Sequence, residues 1–348
     1  MVEQRDIKII LNNSIDWECF RNKTILVTGA TGRLGMYIVE AINKADIDWN
    51  LNITIIALAR SENKLKKIFG ESLKLPNIHT IVQDITQPIH WKGDVHYIFH
   101  TAGAASPWDF TNYPVDTLWG HVEGTHNVLE LAREKKSEKV LYVSTVEIYG
   151  EWKKEESICE SDMGVMHCDK ARACYPEAKR LCETMFASYE AQYHIPYVCV
   201  RLCHTFGPGI SLDDGRAFSQ FIRNVIHGED IVLQTDGRAV RTYTYVADAI
   251  GAMLIAFTKG KDSYYNIANV DNLISIRDLA KLIADMDEKG KVRVRYEHQK
   301  EQKMKYLPFK LGIMNVDKIT ALGWRPQVGL QEAFRYTLES FLQRTEIR

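Results

Sequence analysis

The chain has 348 residues, 45% hydrophobic and 26% charged, the composition of a globular protein with a sizeable core. Its formal net charge is −1, so no basic field draws it to nucleic acid or an anionic membrane, and an anionic ligand must be held by a few placed groups. No apolar run approaches the ~20 residues that span a bilayer, and Met1 to Phe20 lacks the basic and apolar regions of a signal peptide.

Residues 1–22 precede the first strand and read as an extension. In chain order, the strand-like runs are Thr24–Thr28, Ile53–Leu58, His79–Val82, Tyr97–His100, Val140–Ser144 and Tyr197–Arg201. They are mostly continuous apolar runs, not in-and-out alternations, which predicts strands covered on both faces. Amphipathic stretches at Leu34–Lys44, Val115–Lys135 and Tyr175–Tyr193 lie between them. Strand and helix alternating in this way predict an α/β fold with a doubly wound parallel sheet. Beyond Phe206 the pattern is irregular, with helices expected near Phe218–His227, Val246–Thr258 and Ile276–Met286 and few strands. We therefore expect a dinucleotide-type sheet domain over 23–205, joined by 239–263, and a smaller, mainly helical lobe from 206–238 and 264–348. The seven cysteines, Cys19, Cys159, Cys168, Cys174, Cys182, Cys199 and Cys203, contain no C-x-x-C pair and no metal-ligand spacing. They read as reduced thiols of a cytoplasmic protein.

The first chemical signal is Gly29-Ala-Thr-Gly32-Arg-Leu-Gly35, directly after the first strand and before a helix. Gly29 permits a tight turn, Gly32 lets backbone approach a pyrophosphate, and Gly35 lets helix and strand pack closely. The candidate cradle is Gly29, Thr31, Gly32, Arg33, Leu34 and Gly35. The second strand ends Leu58-Ala-Arg60-Ser61, with no carboxylate until Glu62. An arginine there suits the 2′-phosphate of NADP(H), whereas an acid would suit NAD(H); alternatively Arg60 is a solvated loop residue and NAD(H) binds without an acid. Asp84 and Ile85 follow the third strand, where the carboxylate reaches towards an adenine, and Thr101, Ala102 and Gly103 end the fourth with small residues that let backbone touch the cofactor.

Tyr175 and Lys179 stand four apart, on one face of a helix. A nearby ammonium would lower the phenol's pKa and could hold a ribose. Ser144 and Thr145 lie at the carboxyl end of the preceding strand, where doubly wound sheets bind ligands. A cofactor cradle, a proton shuttle and a polarising hydroxyl together point to hydride transfer.

The motifs GATGRLG, HTAGAAS, VSTVEIYG, RACYPEAKR, RLCHTFGPG and RTYTYVADA resemble those of the extended short-chain dehydrogenases, the NAD-dependent epimerase/dehydratase family, from about Lys23 to the C-terminus. The similarity is greatest to UDP-glucuronate decarboxylase-like enzymes. It implies a Rossmann-type fold and a nucleotide-sugar substrate oxidised or reduced by a nicotinamide. Tyr175 would be the proton shuttle, Lys179 its partner, Thr145 the hydrogen-bonding hydroxyl and Glu147 a carboxylate beside the sugar. Ser106, His204, Arg216 and Arg241 would contact substrate, the arginines through its diphosphate. The helices Val115–Lys135 and Tyr175–Tyr193 look like the pair that builds a four-helix homodimer interface.

Three departures narrow the reaction. Val146 stands where 4,6-dehydratases carry an acid, and valine cannot donate a proton. The decarboxylases' Arg-Lys-Pro segment is replaced by Lys310-Leu-Gly-Ile-Met-Asn-Val-Asp-Lys318. His204 replaces a common asparagine, and either binds substrate or caps its turn. Glu147 could instead be a structural acid paired with a lysine, Tyr149 and Trp324 read as core, and Asp248 as an acid near a helix N-terminus. The readings left open are an epimerase, an NADPH-dependent reductase of a keto-sugar, a decarboxylase-like enzyme and a non-catalytic NADP(H) sensor.

Overall fold

The structure, a computed structural model, describes residues 2–297 and 312–346, with side chains as far as residue 342. Its centre is a sheet of seven parallel strands: β1 (Thr24–Thr28), β2 (Thr54–Ala59), β3 (Ile78–Val82), β4 (Tyr97–His100), β5 (Lys139–Thr145), β6 (Tyr197–Leu202) and, much later in the chain, β10 (Tyr264–Ile267). The spatial order is β3-β2-β1-β4-β5-β6-β10. Strand order reverses beside β1, so β1 and β4 diverge at their carboxyl ends into a crevice, the place where such sheets bind ligands.

The continuous apolar runs are explained by two covered faces. Ile25, Val27, Ile55, Phe99 and Leu141 face one core with α2 (Arg33–Trp49) and α8 (Val246–Lys259). Leu26, Ile56, Ile98, Val140 and Tyr142 face the other, with Val128 and Leu129 of α5 (Pro114–Lys135) and Cys182 and Phe186 of α6 (Cys174–Tyr193). α2 continues five residues beyond the expected Lys44, stopping where Asn50 turns left-handed. The remaining helices of this domain are α1 (Gln4–Leu11), α3 (Glu62–Phe69) and α4 (Pro107–Asn112).

The second lobe holds β7 (His204–Phe206), β9 (Val240–Tyr245) and β11 (Leu273–Ser275) in one sheet, and β8 (Ile231–Leu233) with β12 (Val294–Tyr296) in another. Around them lie α7 (Ala217–His227), α9 (Ile276–Ala284), α10 (Asp317–Ala321) and α11 (Leu330–Glu346). The lobe is thus richer in strands than expected: apart from six-residue β9, its strands are three residues long and leave no legible alternation.

Two boundaries need correction. Val240–Tyr245, expected to return to the sheet domain with 239–263, instead pairs as β9 with β7 and β11 in the second lobe. Residues 264–267 belong to the large sheet, since β10 pairs with β6, so the sheet domain reaches past 263. The extension over residues 1–22 packs on the domain: α1 buries Ile7 and Ile10 in the main core, and buried Asp6 accepts hydrogen bonds from Tyr37 of α2 and Tyr245 of β9, at 2.5 and 2.7 Å. Part of the expected second lobe, including Lys310 and Leu311, lies outside the described residues.

Candidate active site

The glycine loop meets the β4 end face to face. A Cβ on Gly29, whose φ is +67°, would come within 2.8 Å of the Ala102 backbone, and one on Gly35 within 2.3 Å of the Gly29 carbonyl oxygen. Glycine is therefore required at both positions by close approach. Thr28 links the two segments: its carbonyl accepts from the Thr101 hydroxyl at 2.7 Å, and its own hydroxyl accepts from Ala102 N–H. Gly32 caps α2 without a side chain, leaving first-turn N–H groups directed at the crevice. Thr31 lies half-buried in the turn and Leu34 packs on the core. Arg33 donates from Nη2 to the Thr205 carbonyl at 2.7 Å, while its buried Nε has no protein partner. Burial and the neighbouring Arg216 charge bring its guanidinium down to about 9. A glycine cradle, a helix N-terminus and a buried unpaired arginine nitrogen fit a dinucleotide pyrophosphate.

Arg60 extends into solvent, 81% exposed, with Asp84 its ion-pair partner at 3.8 Å. Asp84 also accepts from the Thr86 backbone and hydroxyl, which together with Arg60 hold its carboxyl below the usual range. Ile85 is buried against Gly124, so its contribution towards a cofactor would be through backbone.

Tyr175, in the first turn of α6, and Thr145, at the end of β5, come together above the carboxyl ends of the strands. Burial and the Glu147 charge push the phenol up to about 12; a hydrogen bond from the Thr145 side and the charges of Arg216 and Arg172 oppose this. The expected cation was Lys179, and here the structure differs. Its ammonium donates to the Val143 carbonyl at 2.7 Å and sits 4.5 Å over the Tyr142 ring, against 5.9 Å for the Tyr175 ring. The Val143 carbonyl fixes the ammonium at the β5 backbone, and burial lowers it to about 8. Ser144 lies beside it, its buried hydroxyl without a protein partner.

Phe110 of α4 stacks on Tyr175 with ring centroids 4.2 Å apart, and the Arg172 guanidinium covers Phe110 at 4.6 Å. Arg172 also binds Glu147, so the acid's partner is an arginine, not a lysine. Burial raises the Glu147 carboxyl, and Arg172, Arg216 and Arg241 pull it back. Arg216 donates to the Ala105 carbonyl at 2.6 Å, reaching from the start of α7 to the β4–α4 connection. Ser106 caps α4 by accepting from Asp109 N–H. His204 is held neutral: burial, then Arg241 and Arg216, bring it down to about 3. With Val146, Cys203, Arg241, Ile313 and Met314 it lines a cavity of about 230 Å³.

Arg60, Asp84, Ile85 and Ser106 aside, the sequence-selected residues fall into three groups: the loop Gly29–Gly35 with Thr101–Gly103, the Ser144–Thr145–Tyr175–Lys179 centre, and Glu147–His204–Arg216–Arg241. Phe110 and Arg172 were missed. Arg172 stands inside the RACY motif and could have been found there; Phe110 has no local signal. Tyr149 and Trp324 are core residues, with the Tyr149 hydroxyl donating to Asn266 at 2.6 Å and Trp324 Nε1 donating to the Asp248 carbonyl. Asp248 lies in the first turn of α8 and also accepts from the backbone N–H groups of Gln327 and Val328.

The model of the NAD dependent epimerase/dehydratase family matches residues 25–268. The chain belongs to this family of enzymes. UDP-glucuronic acid decarboxylase 6 of Arabidopsis thaliana is 29% identical over 323 residues, 92% of this chain and 89% of the relative. UDP-glucuronic acid decarboxylase 1 of Xenopus tropicalis is also 29% identical, over 93% of this chain and 73% of its own. Among solved structures, the Thermotoga maritima UDP-glucose 4-epimerase with UDP-glucose superposes with a TM-score of 0.76 at 23% identity, over 92% of this chain and 99% of that one. The Streptomyces venezuelae dTDP-glucose 4,6-dehydratase with NAD gives 0.75 at 19%, over 93% and 98%. These structural likenesses establish a shared fold, the Rossmann-type sheet with its second lobe.

Proposed function

We propose that this protein acts on a nucleotide-linked sugar by hydride transfer at one sugar carbon, as an epimerase-type enzyme with NADP(H) preferred over NAD(H). The observation that carries the reading is the meeting of Tyr175 and Thr145 at the carboxyl ends of the strands, beside a glycine loop shaped for a dinucleotide. A nicotinamide cofactor held at the Gly29–Gly35 loop would supply or take the hydride. Tyr175 moves the proton on the reacting oxygen while the Thr145 hydroxyl holds that oxygen, and buried Lys179 presents its ammonium beneath. Arg216 and Arg241 bind the substrate diphosphate, with Glu147 and His204 towards the sugar and Ser106 at the edge. The preference for NADP(H) rests on exposed Arg60. Asp84 and the backbone of Ile85 and Thr101–Gly103 contact the adenosine and nicotinamide halves.

Incubating the enzyme with a panel of nucleotide sugars and either cofactor, followed by chromatographic separation of isomers and mass spectrometry, tests this. An epimerase gives an isomer with no net cofactor consumption; a keto-sugar reductase consumes one NADPH per product. Loss of neither mass nor cofactor on every substrate would overturn the proposal unless an isomer forms. A second reading, decarboxylation of a nucleotide uronate, draws on the 29% identical decarboxylases. It predicts release of carbon dioxide.

The exposed faces of α5 and α6 carry Val115, Trp119, Leu181 and Tyr193. Together they support a homodimer built from four helices, with Trp119→Glu predicted to yield monomers in sedimentation. Among the described residues no helix is long and apolar enough to cross a membrane, and all seven cysteines are free thiols, as a cytoplasmic setting would keep them.

A further inference from the structure

His121 of α5 is 1% exposed and takes part in none of the steps above. Its Nε2 lies 2.8 Å from the Ala104 carbonyl oxygen. A carbonyl only accepts, so Nε2 carries the proton and Nδ1 is left as an acceptor; Nδ1 is buried and has no protein partner. On one side the imidazole lies against Gly103. A Cβ there would stand 2.1 Å from His121 Cε1 and 2.5 Å from Nδ1, so the ring occupies the space that glycine leaves. On the other side the ring is 5.5 Å from the Tyr175 ring, tilted by 58°. Burial and the nearby Lys179 charge both disfavour its protonated form.

The neighbouring His100 provides a contrast. Both of its ring nitrogens are satisfied, by the Thr28 hydroxyl at 2.8 Å and the Thr125 hydroxyl at 3.2 Å. His100 is an internal tie within the sheet domain, whereas His121 connects two functional segments that share no strand. One is the Thr101–Ala104 backbone at the cofactor crevice, and the other is the proton shuttle.

We propose that His121 is a positioning residue for hydride transfer: by donating to Ala104, filling the space at Gly103 and buttressing Tyr175, it sets the distance between the cofactor-facing backbone and the phenol. This rests on the hydride-transfer reading. The Ala104 hydrogen bond and the ring contact with Tyr175 both bear on that spacing, and reacting groups misplaced by about 1 Å lose on the order of a hundredfold in rate.

The test compares His121→Gln, whose amide donor falls near the place of Nε2, with His121→Phe, which keeps a ring but no donor. NADPH affinity is read by fluorescence titration without turnover, alongside kcat, KM and thermal melting. The phenylalanine variant is expected to lose about tenfold or more in both NADPH affinity and kcat, and the glutamine variant to recover most of the affinity at a similar melting temperature. Should the phenylalanine variant be insoluble, His121→Ala gives the same comparison. Wild-type affinity and kcat in the variant lacking the donor would overturn the proposal, as would equal losses in both variants that track melting temperature alone. A Tyr175→Phe control separates the two ideas. If it keeps full turnover, the reaction assignment fails, while NADPH titration of the His121 variants still decides their role.

Discussion

Arg172 and Glu147 form a closed pair inside the site: one guanidinium nitrogen, Nη2, lies 3.1 and 3.0 Å from the two carboxylate oxygens. The same guanidinium rests on Phe110, and Phe110 rests on Tyr175. A single arginine thus links Glu147 with the ring that stacks on Tyr175, the proposed proton shuttle. Its cation–π contact is of a kind worth about 0.5–2 kcal/mol, and its ion pair is shielded from solvent.

Removing that arginine leaves Glu147 buried without its closest cation. Arg172→Met is therefore expected to raise the Glu147 carboxyl further, because burial already raises it and Arg172 is the main opposing charge. If catalysis uses the ionised acid, the acidic limb of the kcat/KM profile moves to higher pH. An unmoved limb with unchanged kcat/KM would mean that Glu147 does not act in its charged form.

Tyr175→Phe removes the only hydroxyl proposed to move the proton, and the loss in kcat should be about 10²–10⁴-fold, the usual scale of general acid–base catalysis. Thr145→Val keeps the shape and removes the holding hydroxyl, with a loss of about 10-fold or more. Cofactor affinity by fluorescence should be nearly unchanged in both.

Lys179 gives a stability signature with a definite sign. Burial depresses it from 10.5 to about 8 in the folded chain, so between those values the unfolded state holds the proton that the folded state has lost. Stability then rises with pH across roughly 8 to 10.5, by up to about 3 kcal/mol at 1.36 kcal/mol per unit. Lys179→Met should flatten that rise, increase stability at neutral pH and abolish turnover. Denaturant melts of both proteins at pH 7 and pH 10 measure it.

Asp6 ties the N-terminal helix to two distant elements through Tyr37 and Tyr245. Asp6→Ala leaves both buried phenol hydroxyls without their acceptor, at about 1–3 kcal/mol for each unsatisfied group. A fall of about 2–5 kcal/mol in unfolding free energy is expected. A smaller change would show that the two hydroxyls find other partners.

Much of the sheet was legible because each strand is a short apolar run covered on both sides, and the glycine loop because its spacing answers a local backbone requirement. β10 was not, since Tyr264–Ile267 is short and follows its β6 partner by more than 60 residues. The same reason hid Phe110: nothing in its surroundings along the chain announces a ring stacked on Tyr175.

The amino-acid sequence by itself determined the strand–helix alternation and the glycine spacing of Gly29–Gly35, and it put Tyr175 and Lys179 forward as candidates, because these depend on periodicity and on spacing within one turn or one helix. Tertiary structure decided which cations face which groups. Lys179 turns to Val143 while Arg172 and Arg216 bear on the phenol and on Glu147, an outcome of where separate elements of the chain converge and of how far each side chain can reach once the backbone has taken up its hydrogen bonds.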